Sequence, residues 1–108
     1  MTTTFDQRER AFEQKFAQDE ELKFKAHARS NRLLGLWAAR KLGLAGADAE
    51  SYARTLVTID LDKPGSDKVF EKVSADLDSK GIVQPSHEIR QRMDEFTVRA
   101  LAEIQAGR

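Results

Sequence analysis

Glycine and proline divide this 108-residue chain into segments rich in helix-forming residues. Neither residue occurs between Phe5 and Arg32, so a helix could run unbroken through that stretch. The later breaks fall at Gly43, Gly46, 62–65, 80–81 and Pro85. Ala, Leu, Glu, Lys, Arg and Gln dominate between the breaks, and alternating β-branched runs typical of strands are absent. The sequence therefore predicts an all-α protein.

The breaks predict four bundle helices, at about 20–43, 48–61, 66–80 and 86–106, preceded by an N-terminal arm at 1–19. Asp48 is placed to cap the second helix, and Ser66 followed by Asp67 to cap the third. Pro85 or Ser86 opens the fourth. Connections of a few residues favour antiparallel neighbours, so we expect a four-helix bundle with a long first helix.

Each of the last three predicted helices carries one apolar stripe with spacings of three and four residues. The stripes are Ala49, Tyr52, Ala53, Leu56 and Ile59; Val69, Phe70, Val73 and Leu77; and Ile89, Met93, Phe96, Ala100 and Ile104. Leu33, Leu34 and Trp37 are the expected contribution of the first helix. Gly35 beside them predicts a close helix–helix approach rather than a functional bend.

The charges balance in number, with 18 bases and 18 acids, but not in position. Residues 1–21 are mainly acidic, residues 22–44 hold six bases and no acid, and residues 45–108 are again mainly acidic. A neutral total argues against a nucleic-acid partner. The absence of cysteine excludes disulfides, and no apolar run is long enough for membrane insertion or a secretory signal. We expect a cytoplasmic protein.

The N-terminal arm has only three large apolar residues, Phe5, Phe12 and Phe16, which fall on one narrow face of a helix. Burying each ring contributes about 1.5–3 kcal/mol, whereas ordering the backbone costs about 1–2 kcal/mol per residue. The arm is therefore predicted to be disordered or a marginal, mobile helix when free, and helical in a partner's groove. Alternatively, Phe12 and Phe16 extend the intramolecular core.

Catalytic and metal-binding motifs are not found in the sequence. Asp60 and Asp62 lack the further oxygen ligands of a calcium loop, and His27 and His87 lack a partner motif. A non-enzymatic protein without a cofactor or metal is expected. The basic stretch suggests a second reading, in which a basic helix face binds a nucleotide or another anion. Its candidate residues are Lys23, Lys25, Arg29 and Arg32.

Several short stretches carry a family resemblance through their joint order and spacing over nearly the whole chain. They are 5–11, 15–17, 24–26, 29–35, 37–39, 60–65 and 69–70. In this order they resemble the ζ subunit of the alphaproteobacterial F-type ATP synthase, the family of small ATPase inhibitor proteins. The resemblance implies a four-helix bundle with an inhibitory N-terminal region.

The resemblance also implies a mechanism and a partner. The N-terminal helix would insert at a catalytic subunit interface of the ATP synthase head, built from α, β and γ subunits, and block rotation in the hydrolysis direction. The protein would then lie peripheral to the inner membrane through the synthase. The arm residues expected to bind the partner are Phe5, Arg8, Glu9, Arg10, Phe12, Lys15 and Phe16.

Overall fold

A computed structural model describes the backbone of residues 3–107 and the side chains of residues 20–107. It contains four helices: α1 (Thr3–Lys41), α2 (Gly46–Asp62), α3 (Lys68–Ser79) and α4 (Ser86–Gln105). The backbone of residues 3–107 forms no strand, which confirms the all-α prediction. None of the described helices is long and apolar enough to cross a membrane.

The long helix α1 organises the bundle. It packs most extensively against α2 and α4, and α3 contacts all three other helices. Two contacts show that α1 and α4 run antiparallel. Arg29 of α1 lies 3.7 Å from Glu103 near the end of α4, and Trp37, later in α1, shares a surface depression with Glu88 near the beginning of α4. The short connections between the helices fit this arrangement.

The core forms where the apolar stripes of the helices meet. Its fully buried members come from all four helices and are Leu34, Ala38, Leu56, Val69, Val73, Leu77 and Ile89. Trp37, Tyr52, Phe70, Met93 and Phe96 are partly buried and pack around them. The predicted stripes therefore do face the core, with the larger side chains at its edge.

Gly35 lies where α1 and α2 approach most closely. A Cβ atom at this position would come within 2.5 Å of the Cα atom of Ala53, a distance that real Cβ atoms do not adopt. Gly35 and Ala53 are both buried. The predicted close helix–helix approach is confirmed, and it explains a mid-helix glycine that otherwise costs about 1 kcal/mol relative to alanine.

The helix ends correct two of the predicted caps. The N-cap of α2 is Ala45, so Asp48 lies in the first turn, where its charge still favours the helix dipole but its side chain makes no cap hydrogen bond. Asp67 occupies the N-cap position of α3, but its carboxylate accepts a hydrogen bond from Arg90, while the hydroxyl of Ser66 accepts one from the amide of Lys68 at 3.4 Å. The predicted opening of α4 at Pro85–Ser86 is confirmed.

The predicted stop after α3 is also confirmed. Gly81 adopts a φ of 71°, and the amide of Ile82 donates to the carbonyl of Leu77 at 3.0 Å. This is the left-handed glycine arrangement that satisfies the last carbonyls of a helix. Gly46, in contrast, is the first residue of α2 and not part of the break that ends α1.

Candidate partner-binding surface

Helix α1 leaves the bundle on the N-terminal side of Ala26. Ala26 is the first buried residue of α1 among those whose side chains are described, with 6% of its surface exposed. From Glu20 to Lys25, every residue except Leu22 is exposed. The helix nevertheless continues without a break towards Thr3. Residues 20–25 therefore add no fully buried side chain to the bundle, although Leu22 is half-buried and Phe24 and Lys25 line a groove with residues of α2 and α4.

The predicted arm residues lie outside the side chains that the structure describes. These are Phe5, Arg8, Glu9, Arg10, Phe12, Lys15 and Phe16. The backbone at all seven positions belongs to α1, so the arm and the first bundle helix are parts of one helix. Whether Phe12 and Phe16 serve the core or a partner stays a prediction.

Three of the four predicted basic residues share one groove, which we call the basic groove. Lys25, Arg29 and Arg32 line it together with Phe24, Ala28, Val57 and Ile104. Its volume is about 690 Å³, and α2 and α4 contribute the apolar side chains of Val57 and Ile104 to it. Lys23 is not among the lining residues. At about 100° per residue, position 23 lies on the opposite side of α1 from positions 25, 29 and 32.

Each base of the groove has an acidic neighbour. The pairs are Lys25 with Glu21 at 3.1 Å, Arg29 with Glu103 at 3.7 Å and Arg32 with Glu50 at 2.7 Å. The pairs of Lys25 and Arg32 are exposed to solvent, where such pairs contribute little stability, whereas the pair of Arg29 and Glu103 is half-buried. They also lower the positive potential that an anion would meet in the groove. Lys23 pairs likewise, with Glu20 at 3.7 Å.

Sequence reasoning missed the apolar part of this groove. The ring of Phe24 is 58% exposed, an unusual position for a large apolar side chain. Phe24 is adjacent in sequence to a basic residue and lies outside the phenylalanine stripe of the arm, so no periodicity singled it out. Val57 belongs to α2, and only the three-dimensional packing of α2 on α1 brings it to the same groove.

The titratable groups give no sign of catalytic chemistry in the described part of the chain. Residues 20–107 contain no cluster of three His, Asp or Glu side chains that could hold a metal ion. Tyr52 is the residue with a clearly shifted pKa. Burial raises the pKa of Tyr52, and the hydrogen bond from its hydroxyl to Asp76 at 2.8 Å raises it further. This contact joins α2 to α3 and is structural.

These features define a small all-α bundle protein from which one long helix leads outward. The sequence profile of the family "ATPase inhibitor subunit zeta" matches residues 1–103. The chain belongs to this ATPase inhibitor family. Membership indicates a regulatory protein that inhibits an ATPase and associates with an ATP synthase.

A solved structure supports the fold independently. It is described as the solution NMR structure of a protein that is 37% identical to this chain, with a TM-score of 0.70. The similarity covers 81% of this chain and 99% of the other. No curated protein matches the sequence. The family match and this structure are consistent with the resemblance found in the sequence.

Proposed function

We propose that the protein inhibits ATP hydrolysis by the F-type ATP synthase, by inserting the N-terminal part of α1 at a catalytic subunit interface and so blocking rotation. The observation that carries this proposal is the course of α1, which has no fully buried side chain from Glu20 to Lys25 and continues as one helix to Thr3. Family membership supports the ATPase as the target.

The length of this helix suits insertion into a partner. From Ala26 to Thr3, α1 provides about 35 Å of helix at 1.5 Å per residue. Phe5, Phe12 and Phe16 would be the apolar anchors on one face. Helix-in-groove recognition uses anchors with this spacing. A rotary enzyme stops when a body occupies an interface that must open and close, so the inhibitor needs no chemistry of its own.

The charged arm residues would guide the encounter. Arg8, Arg10 and Lys15 would pair with acidic groups at the rim of the interface, and Glu9 with a basic group. Such rim contacts mainly raise the association rate and fix orientation, and salt weakens them. The bundle would dock outside the interface and keep the arm at a high local concentration. The α, β and γ subunits are the expected neighbours of the inserted helix.

Deletion of residues 1–19 tests the proposal. ATP hydrolysis by the catalytic head of the cognate synthase is measured against increasing concentrations of the full-length and the shortened protein. We expect the full-length chain to inhibit and the shortened chain to lose inhibition, while its far-UV circular dichroism still shows a folded bundle. Equal inhibition by the two proteins would rule out the inserted-arm mechanism.

A matched pair of variants separates anchoring from general loss of apolar surface. Phe5→Ala with Phe12→Ala removes two anchors from the arm and should weaken inhibition at least about tenfold, because each buried ring contributes about 1.5–3 kcal/mol. Val83→Ala removes an apolar side chain that is 91% exposed in the α3–α4 connection, and it should leave inhibition unchanged. A similar loss in both proteins would contradict specific anchoring by the arm.

A second candidate function is binding of a nucleotide or another anion at the basic groove. The observation that favours it is the convergence of Lys25, Arg29 and Arg32 around the exposed ring of Phe24, which could stack on a base. Titration with ATP and ADP, followed by backbone amide NMR shifts, tests it. Saturable shifts confined to the groove would support this function, and their absence at millimolar nucleotide would remove it.

A further inference from the structure

A second cavity, which we call the polar cavity, lies between α1, α4 and the end of α2 with its connection to α3. Its volume is about 250 Å³. Met93 supplies apolar surface to it, Leu34 and Val69 lie almost fully buried behind its wall, and most of the remaining lining is polar. It is separate from the basic groove, because the two have no lining residue in common.

The carboxylates of the polar cavity outnumber its guanidinium group. Asp60, Asp67 and Asp94 line the cavity together with Arg90 and His27. Arg90 already has partners, because it lies 3.1 Å from Asp67 and stacks on the ring of Phe70. No ion pair or side-chain hydrogen bond among residues 20–107 includes Asp60 or Asp94. Both carboxylates therefore lack an ion-pair partner in this part of the chain, and of the two Asp60 is half-buried whereas Asp94 is exposed to solvent.

Asn31 is an independent sign that the cavity takes a ligand. Its side chain is buried, with only 9% of the residue exposed, and it lines the cavity. It makes no side-chain hydrogen bond within the described part of the chain, unlike its neighbour Ser30, which bonds to Thr97 at 3.1 Å. No polar atom of its side chain is both sealed from solvent and without a partner, so the amide is accessible and can be satisfied by water or by a ligand in the cavity that it lines. A buried amide of this kind is costly unless a ligand or water satisfies it.

The position of Asp60 is unfavourable for the fold alone. It lies in the last turn of α2, which ends at Asp62 and has no basic residue in that turn. Negative charge at the C-terminal end of a helix opposes the helix dipole. Asp60 is also half-buried, which increases the need for a positive partner.

We propose that the polar cavity binds a primary alkylammonium group, with Asp60, Asp94 and the Asn31 carbonyl as its acceptors. An ammonium is a compact charge with three donors, and these three acceptors come from three different elements. The alkyl chain would lie on the half-buried side chain of Met93. Since no three ligating side chains cluster within residues 20–107, an organic cation fits the cavity better than a metal ion.

Titration of the full-length, isotope-labelled protein with spermidine at physiological salt tests the proposal. We expect saturable amide shifts at Asn31, Gly65 and Asp94, which surround the cavity. Asp94→Asn should lower the affinity about tenfold, because it removes one charge-assisted hydrogen bond. If millimolar spermidine and millimolar Nα-acetyl-lysine methylamide both leave these amides unshifted, the proposal is overturned.

A matched control distinguishes a site from general attraction to an acidic surface. Asp78 lies in the last turn of α3, is exposed and does not line the cavity. Asp60→Asn and Asp78→Asn should both raise the melting temperature, because each removes a negative charge from a helix C-terminus. Only Asp60→Asn should weaken spermidine binding. Equal weakening by the two changes would overturn the proposal.

The two probes distinguish the source of the ammonium group. If spermidine binds more tightly than Nα-acetyl-lysine methylamide, and both Asp60→Asn and Asp94→Asn abolish this binding, the ligand is a free polyamine. Comparable binding of the two would identify a single ammonium group, as a lysine side chain of a partner protein presents it. Either result, if it depends on the two carboxylates, supports the alkylammonium site.

Discussion

At the scale of single residues, the close contact between α1 and α2 depends on Gly35, which has no side chain. Gly35 lets the backbone of α1 approach Ala53, whose Cα and Cβ atoms would lie 2.5 Å and 2.9 Å from any added Cβ atom. The neighbouring atoms belong largely to the backbone, so they cannot move aside as a flexible side chain could. The sequence predicted this approach from a glycine inside a helix.

Gly35→Ala should therefore destabilise the protein. Overpacking of a core contact costs about 1–3 kcal/mol, whereas the better helix propensity of alanine returns at most about 1 kcal/mol. Urea unfolding followed by circular dichroism measures the net loss. Ser51→Ala, at an exposed position of α2, is the control and should change the free energy of unfolding by less than about 0.5 kcal/mol. An unchanged or higher stability of Gly35→Ala would contradict the packing described.

A second residue-scale feature is the polar contact that joins α2 to α3. The hydroxyl of Tyr52 donates to Asp76, and the ammonium of Lys72 lies 3.1 Å from the same carboxylate. Burial and the negative charge of Asp76 both favour the protonated phenol. Because the pKa of Tyr52 is raised in the folded state, its contribution to stability is complete below about pH 10 and decreases as the pH rises towards the folded value.

Tyr52→Phe should lower the free energy of unfolding by about 1 kcal/mol near neutral pH, the usual loss for one hydrogen bond. Above about pH 10, the stability of the wild-type protein should fall more steeply than that of the variant, because only the wild type has a phenol to ionise. Urea unfolding at several pH values measures both effects. Parallel pH profiles would show that Tyr52 has the same pKa in the folded and unfolded chains.

At the scale of elements, the decisive feature is the continuity of α1 through its exposed stretch at 20–25. This stretch connects the bundle to the proposed inhibitory region without a fully buried side chain, although Leu22 is half-buried and Phe24 and Lys25 line the basic groove. A break here would uncouple the two parts but leave the core intact. The need for a continuous helix can therefore be tested without changing any residue of the arm.

Lys23→Pro should reduce inhibition strongly with little effect on the bundle. Proline inside a helix costs about 3 kcal/mol, removes one hydrogen bond and kinks the axis. Lys23→Ala is the matched control, because it removes the same charge and the exposed pair with Glu20 but keeps the helix. Inhibition assays and melting temperatures of the two variants are compared. If the proline variant inhibits as well as the alanine variant, a continuous helix is not needed.

The sequence predicted the helices better than their ends. Breakers and apolar periodicity are local signals, so they located the stripes of α2, α3 and α4 and the glycine stop after α3. At α3 the predicted cap position was right and Ser66 accepts from the amide of Lys68, but the carboxylate of Asp67 pairs with Arg90, a residue 23 positions away. The cap at Asp48 was wrong because α2 begins two residues earlier, at Gly46.

At the scale of the whole molecule, the sites combine residues that are distant in sequence. The basic groove joins Phe24 to Val57 and Ile104, and the polar cavity joins Asn31 to Asp60 and Asp94. Sequence alone identified the bases of the groove, because they follow one another along α1. For Asp60 it only excluded a calcium loop, because the packing of α4 near that end of α2 is not a local property of the sequence.

The bundle without the arm should be as stable as the complete protein. The first buried residue of α1 among the described side chains is Ala26, so a shortened chain of residues 20–108 keeps the core described above. We expect its melting temperature to lie within about 4 °C of the full-length value, the shift produced by a change of less than about 1 kcal/mol. A much lower melting temperature would show that Phe12 or Phe16 belongs to the core.

The packed part of α1, residues 26–41, lowers the free energy needed to keep the preceding part of the same helix folded. Starting a helix in water is unfavourable by a factor of about 10⁻³, whereas extending an existing one is nearly neutral for residues that favour helix. Residues 26–41 are already fixed as helix by their burial against α2 and α4. Helix formation from Ala26 towards Thr3 therefore needs only propagation, because the packed residues already provide the helix nucleus. An isolated arm peptide lacks this nucleus and would need up to about 4 kcal/mol more to adopt the same helix on a partner.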